Sequence, residues 1–69
     1  MSEEKMTDRH KEVLDLLIDG NSNKVIAARL GISEQTVKNY VHGIYQVYDV
    51  GSSRQLIAMY YKAKISTLV

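Results

Sequence analysis

The sequence predicts an all-α fold of four helices. It contains no Pro, and three short segments rich in Gly, Ser, Asn and Asp interrupt it at residues 20–22, 31–33 and 49–52. Between these breaks the apolar residues recur at intervals of three and four, which is the period of an amphipathic helix rather than of a strand. Hydrophobic residues make up 45% of the 69 residues, enough for the core of one small domain.

The composition excludes several classes of protein. Without Cys there is no disulfide framework or thiolate zinc site, and the two His are too far apart to indicate a metal site. No stretch approaches the roughly 20 apolar residues that cross a bilayer, and the polar, acidic N-terminus is unlike a signal peptide. We therefore expect a cytoplasmic protein with no metal and no other cofactor.

The first two helices have clear start and stop signals. Thr7 is a suitable N-cap for the first helix, and Gly20 supplies its left-handed exit. The second helix is short, about Asn23 to Leu30, with Ser22 as its N-cap and Gly31 at its end. The residues predicted to face the core are Val13, Leu14, Leu17 and Ile18 in the first helix, and Ile26, Ala27 and Leu30 in the second.

The third helix is predicted to begin after the N-cap Ser33, with Ile32 packing on Val37 as a hydrophobic staple. Its inward stripe at i, i+4, i+7 and i+11 is Val37, Val41, Ile44 and Tyr48. Ser52 and Gln55 form a predicted capping box for the fourth helix, which runs roughly from Ser53 to Lys64. That helix is apolar over a wide arc: Leu56, Ile57, Met59, Tyr60, Tyr61 and Ala63.

The second and third helices together predict a helix-turn-helix. Ala27 is small enough for the two helices to approach closely, Gly31 permits a sharp turn, and Ile32 fills the corner. In such a motif the second helix of the pair presents its N-terminal half to base edges in the major groove. The third helix of this chain is therefore the predicted recognition helix.

The buried stripe determines which residues of the third helix face outward. Gln35, Lys38, Asn39 and His42 lie on the exposed side, and Glu34, Thr36 and Tyr40 flank it. Lys can bond to guanine, whereas Asn and Gln can pair with adenine. The hydroxyls of Thr36 and Tyr40, with the free N–H groups that open both helices, suit phosphate oxygens.

At this point the chain resembles the LuxR/FixJ/GerE type of helix-turn-helix domain over about fifty residues. The matching positions are Thr7, Arg9, Glu12, Val13, Leu14, Gly20, Ser22, Asn23, Lys24, Ile26, Ala27, Leu30, Gly31, Ile32, Ser33, Thr36, Val37, Lys38, Val41, Ile44 and Val50. The order of the matches is that of the family, which makes the resemblance specific.

The resemblance implies a sequence-specific transcription regulator of double-stranded DNA whose fourth helix pairs two copies. It implies base-edge contacts from Lys38, Asn39 and His42, with Glu34 and Gln35 nearby. The expected DNA-backbone contacts are Asn23, Lys24, Arg29, Ser33, Thr36, Tyr40 and Arg54. The expected homodimer interface on the fourth helix is Ile57, Met59, Tyr60, Tyr61 and Lys64.

Several positions depart from the family pattern. Tyr40 replaces His, His10 replaces the Glu of the first capping box, Val47 and Asp49 replace Lys and Gly, and Gly51 and Ser53 stand where basic residues are common. Net charge is only +1, weak for a nucleic-acid binder. If four cations (Lys24, Arg29, Lys38 and Arg54) approach phosphates, the slope of log affinity against log salt is about −3.6 per protomer. A single protomer would then bind weakly at physiological salt, so we expect a dimer on DNA.

Two other functions are open. The low charge and the apolar breadth of the fourth helix favour, as an alternative, a protein-interaction module that binds another regulator through that helix. A polymerase sigma-factor region would share the motif, although the added helix argues against it. The tyrosine pairs Tyr45/Tyr48 and Tyr60/Tyr61 are expected to be core and interface side chains rather than base-stacking platforms.

An enzyme is not expected, because Glu12, Asp15 and Asp19 have the helical spacing of a solvated outer face and accompany no phosphate loop or nucleophile–base set. The predicted organisation is a polar extension at residues 1–5 and one domain at residues 6–69. The chain is expected to be either a small stand-alone regulator or the isolated C-terminal domain of a longer one.

Overall fold

The computed structural model of the chain describes the backbone of residues 6–68 and the side chains of residues 6–62. This part consists of four α-helices and no strand: α1 (Asp8–Ile18), α2 (Asn23–Leu30), α3 (Glu34–Tyr48) and α4 (Ser53–Leu68). The predicted all-α, four-helix architecture is confirmed. The predicted N-terminal extension lies outside the described residues. None of the described helices is long and apolar enough to cross a membrane.

The bounds of α1, α2 and α3 agree with those predicted, but α4 does not end near Lys64. It continues to Leu68, because no Gly or Pro interrupts the sequence after Lys64 and nothing local opposes the next helical turn. The predicted interface residue Lys64 therefore lies within the helix, although its side chain is outside the described residues.

All four helices contribute to one core around α3. The buried side chains are Met6, Val13, Leu14, Leu17, Ile26, Ala27, Val37, Val41, Ile44 and Leu56. The predicted inward residues Ile18, Leu30, Ile32 and Tyr48 are only half-buried and pack at its edge. Since α3 contacts each of the other helices, its inner face is held on three sides, and its outer face is left to solvent.

A histidine completes the capping box at the start of α1. The Thr7 Oγ1 accepts the His10 backbone N–H at 3.3 Å, and His10 Nδ1 accepts the Thr7 backbone N–H at 3.3 Å. Glu or Gln usually makes the second bond from this position. Although His10 departs from the family pattern, it keeps the reciprocal capping box, because an unprotonated imidazole nitrogen can accept the hydrogen bond as a carboxylate would.

The cap of α4 is only partly as predicted. Ser52 Oγ accepts the Gln55 backbone N–H at 3.2 Å, as expected of an N-cap. The Gln55 side chain, however, does not return to Ser52: its Oε1 accepts the backbone N–H of Gly51 at 2.7 Å. The prediction of a reciprocal box was therefore wrong, because the long amide reaches past the N-cap to the residue before it.

Asp49 ends α3 in a left-handed conformation. Its φ is 56° and its ψ is 49°, and it is the one residue other than Gly with positive φ in the described part of the chain. Its N–H donates to the Gln46 and Tyr45 carbonyls, and the Val50 N–H donates to the Tyr45 carbonyl at 3.0 Å. The αα turn thus closes without Gly, at the cost of backbone strain.

We expect Asp49→Gly to stabilise the domain by about 0.5–1 kcal/mol, because Gly adopts positive φ without a steric penalty. The urea midpoint should rise while the dependence of unfolding on urea stays constant. Asp49→Asn is the control, since Asn also tolerates this conformation and changes only the charge. An equal gain from Asp49→Asn would assign the effect to charge instead.

Candidate nucleic-acid interface

The corner between α2 and α3 is built by backbone geometry. Gly31 has a φ of 68°, and the Ile32 N–H donates to the Ala27 carbonyl at 3.0 Å, which turns the chain directly after α2. Ala27 is 6% exposed and adds no bulk where the helices meet. A Cβ at Gly31 would have nothing within 4 Å, so the requirement for Gly here is conformational.

Ser33 caps the N-terminus of α3. Its Oγ accepts the Thr36 backbone N–H at 3.0 Å and lies 2.8 Å from the Thr36 Oγ1. If Ser33 donates in the second contact, the Thr36 hydroxyl keeps its own proton for an external acceptor. The first turn of α3 therefore presents backbone N–H groups and a hydroxyl at the positive end of the helix dipole, which suits a phosphate oxygen.

The predicted base-reading residues form one exposed face of α3. Glu34, Gln35, Lys38, Asn39 and His42 are all exposed, whereas Val37, Val41 and Ile44 are buried on the opposite side. The Gln35 Nε2 donates to Asn39 Oδ1 at 3.2 Å. This bond orients the Asn39 amide, because it requires the oxygen of Asn39 to face Gln35. The spare lone pair of Oδ1 and both Nδ2 protons stay available to a base.

The predicted backbone-contact residues differ in their exposure. Lys24, Arg29, Ser33 and Arg54 are exposed, and Asn23, Thr36 and Tyr40 are half-buried. Asn23 and Lys24 open α2, whose N-cap Ser22 accepts the Val25 N–H at 3.3 Å. Arg54 is in the first turn of α4. The predicted phosphate-binding cations therefore lie near the two ends of α2, within α3 and in the first turn of α4.

Negative charge is concentrated on α1 instead. Four exposed carboxylates recur at i, i+4, i+7 and i+11 along this helix: Asp8, Glu12, Asp15 and Asp19. The salt bridge among the described residues joins Arg9 and Glu12 at 3.2 Å and is exposed, so it contributes little to stability. With Arg9 and Lys11 included, residues 8–19 have a net charge of −2, whereas residues 23–38 have a net charge of +2, so the overall charge of +1 does not describe the α2–α3 corner.

The predicted interface residues of α4 differ in their exposure. Ile57, Met59 and Tyr60 are half-buried, and Tyr61 is 47% exposed. Tyr60 and Tyr61 form an edge-on ring pair with centroids 5.8 Å apart. Both line an open groove against Asp15, Ile18 and Asp19 of α1. Part of the tyrosine surface is therefore covered by α1 of the same chain, which the helical pattern of α4 alone did not show.

His10 was not among the predicted site residues, yet it contacts one of them. Its ring meets the Tyr40 ring edge-on, with centroids 4.7 Å apart and an interplanar angle of 90°. Its local signal was the three-residue spacing from Thr7, but the contact to Tyr40 crosses between helices and has no signature in the sequence. Among the residues that the structure describes, no group of three or more His, Asp or Glu side chains is placed to hold a metal ion.

Comparison with known proteins adds a family to this geometry. The family model of bacterial regulatory proteins, luxR family, matches residues 4–60. Transcriptional regulatory protein DegU of Brevibacillus brevis is 46% identical over 52 residues, covering 75% of this chain and 22% of DegU. Transcriptional regulatory protein DesR of Bacillus subtilis (strain 168) is 47% identical over 45 residues, covering 65% of this chain and 23% of DesR.

A shorter relative matches over most of its length. Spore germination protein GerE of Bacillus subtilis (strain 168) is 36% identical over 52 residues, which cover 75% of this chain and 70% of GerE. In contrast, the chain spans less than a quarter of the length of DegU and of DesR. The segment that the family model matches, residues 4–60, includes α1, α2 and α3 in full.

Proposed function

Because the chain belongs to the luxR family of bacterial regulatory proteins, a helix-turn-helix family, we propose that it regulates transcription by sequence-specific binding to double-stranded DNA. The observation that carries this proposal is the exposed polar face of α3, which stands opposite a fully buried stripe and next to a Gly31 corner. This arrangement allows the N-terminal half of α3 to enter a major groove while α2 lies across the backbone.

Base reading is assigned to the exposed face of α3. Lys38 donates to guanine O6 or N7, and the Asn39 amide, oriented by Gln35, pairs with adenine. His42 extends the same face by one turn. Glu34 and Gln35 reach the groove edge near the start of the helix, where Glu34 can accept a hydrogen bond from the cytosine amino group.

Contacts to the DNA phosphate backbone are assigned to the residues around that face. Asn23, Lys24, Ser33, Thr36 and Tyr40 hold phosphates, with Arg29 and Arg54 as further cations. This set is compatible with the low net charge, because the carboxylates of α1 are on another helix. Affinity for a single protomer is expected to be modest, since α3 itself carries one Lys and no Arg.

A homodimer through α4 compensates for this modest affinity. Tyr61 is a large exposed aromatic residue, and Ile57 and Met59 are only half-covered, so a second copy can bury apolar surface there. Two protomers double the number of phosphate contacts and read two half-sites. The protein is then expected to act in the cytoplasm without a cofactor.

A second candidate is supported by the same helix. An apolar α4 surface beside the acidic face of α1 suits a protein-interaction module that binds another regulator and not DNA. The two candidates differ in their dependence on salt, because counterion release accompanies phosphate contacts and is absent from largely apolar docking.

The test is DNA binding at increasing salt, measured by fluorescence anisotropy on genomic fragments and then on duplexes selected from a random pool. We expect the slope of log K against log salt on a half-site to be about −2.7 if Lys38 bonds only to a base and about −3.6 if it also neutralises a phosphate, and a dimer on a two-fold site should double either value. Binding without any salt dependence, or no binding with tight capture of a protein, would favour the second candidate. Equal slopes on half-site and full site would contradict the dimer.

A further inference from the structure

The imidazole of His10 is held on three sides. From α1, its Nδ1 lies 3.3 Å from the Thr7 backbone nitrogen and 2.8 Å from the Thr7 Oγ1. From α3, the Tyr40 ring meets it edge-on at a centroid distance of 4.7 Å. A Cβ on Gly43 would come within 3.2 Å of its Nε2. We call these three residues, Thr7, Tyr40 and Gly43, the His10 seat.

The hydrogen bonds of the seat determine which nitrogen of His10 is protonated. Nδ1 accepts the Thr7 backbone N–H at 3.3 Å and lies 2.8 Å from the Thr7 hydroxyl oxygen. Nδ1 is therefore the acceptor, and the ring proton is on Nε2, above Gly43. Both ends of the imidazole are thereby constrained, and the ring has a single orientation against Tyr40.

The same contact with His10 explains why a glycine stands at position 43. Gly is unfavourable inside a helix compared with Ala, yet Gly43 lies well within α3 and has an ordinary helical φ rather than a positive one. Its advantage is space, because a methyl group there would crowd the His10 ring at 3.2 Å. Gly43 therefore has a lower helix propensity than Ala would have, but it leaves space for the His10 ring of α1.

The Tyr40 hydroxyl is available to a ligand. Tyr40 is half-buried through its ring, but within the described part of the chain its oxygen takes part in no hydrogen bond. A Tyr that is packed at one end normally finds a polar partner at the other. Ser33, Thr36 and Tyr40 recur at i, i+3 and i+7, so the three hydroxyls follow one line along the flank of α3.

We propose that His10 is a positioning residue for DNA binding: it holds the Tyr40 ring so that the hydroxyl meets a phosphate oxygen of the DNA backbone. The inference rests on the proposed function. His10 itself does not touch DNA in this arrangement. Because α1 packs on α3, the His10 ring restricts the orientation of the Tyr40 side chain before DNA binds. Less conformational entropy is then lost when the Tyr40 hydroxyl contacts a phosphate.

The test is a double-mutant cycle of His10→Glu and Tyr40→Phe, with DNA affinity as the readout. His10→Glu keeps an acceptor for the Thr7 N–H but removes the ring, and Tyr40→Phe keeps the ring but removes the hydroxyl. We expect each to lower affinity about 3- to 10-fold, as for one neutral hydrogen bond, equally on selected and unrelated duplexes because phosphates carry no sequence information. The affinity of the double variant should be no lower than that of whichever single variant binds DNA more weakly.

Two further variants complete the experiment. Gly43→Ala should lower affinity in the parent and not in the Tyr40→Phe background, which tests the seat if His10→Glu fails to fold. Tyr45→Phe is the matched control, because it removes a tyrosine hydroxyl from the C-terminal half of the same helix, and it should leave affinity unchanged. Losses that multiply in the double variant, or a Tyr40→Phe protein that binds like the parent, would overturn the positioning role. A parent that binds no DNA would instead refute the proposed function.

Discussion

Lys38→Ala and Asn39→Ala are each expected to reduce the preference for a selected duplex over an unrelated one by roughly 10- to 100-fold, since one good base contact contributes about 1–3 kcal/mol of discrimination. Both side chains are exposed on the outer face of α3, so neither variant should disturb the core. The thermal unfolding of both variants should match that of the parent.

The two variants should differ in a second measurement. If Lys38 bonds to a guanine edge, its loss mainly lowers specificity; if it holds a phosphate, the salt slope falls by about 0.9 and specificity persists. Asn39→Ala carries no charge change, so its salt slope should equal that of the parent. Asn39→Ala also releases Gln35, whose Nε2 donates to it at 3.2 Å, and a smaller effect of the same kind is expected for Gln35→Ala.

The measurement is competition anisotropy with duplexes selected from a random pool. Gln46→Ala is the matched control, because Gln46 is an exposed amide further along the same helix and beyond the N-terminal half that enters the groove. If both the Lys38 and Asn39 variants discriminated between duplexes like the parent, α3 would not be the reading helix. A loss of discrimination in Gln46→Ala as well would indicate a general disturbance of α3.

Leu56→Ala is expected to destabilise the domain by about 2–5 kcal/mol, the usual cost of deleting a large buried side chain. Leu56 is 0% exposed and is the one fully buried side chain that α4 contributes among those described. A domain of this size has only about 3–10 kcal/mol of stability in total. Much of the population is therefore expected to unfold or to release α4.

The measurement is urea unfolding followed by tyrosine fluorescence and by far-ultraviolet circular dichroism. Leu56→Met is the control, because it conserves volume and should cost less than about 1.5 kcal/mol. If α4 alone detaches, binding to a half-site should persist while dimeric binding is lost. A cost below about 1 kcal/mol for Leu56→Ala would show that other α4 side chains anchor this helix.

Most helix beginnings and ends were predictable because their causes are local; the exceptions were the end of α4 and the second hydrogen bond of its cap. Ser22, Ser33 and Ser52 each cap a helix from within three residues of the N–H they accept, and Gly20 and Gly31 adopt the positive φ that their positions indicate. The exposed face of α3 was equally predictable, since burial of Val37 and Val41 determines the opposite side of a helix from its period alone. The role of that face in DNA binding is still a prediction.

The sequence by itself therefore determined the four helices, their N-cap residues and the side of α3 that faces outward, because each depends on residues within one or two turns. Only the tertiary structure decided that His10 contacts Tyr40 and Gly43, and that α1 covers part of the tyrosine surface of α4. Helical periodicity states which residues share a face, but it carries no information on which neighbouring helix reaches that face, or how far along it. Those contacts depend on how the helices cross, which the whole core determines.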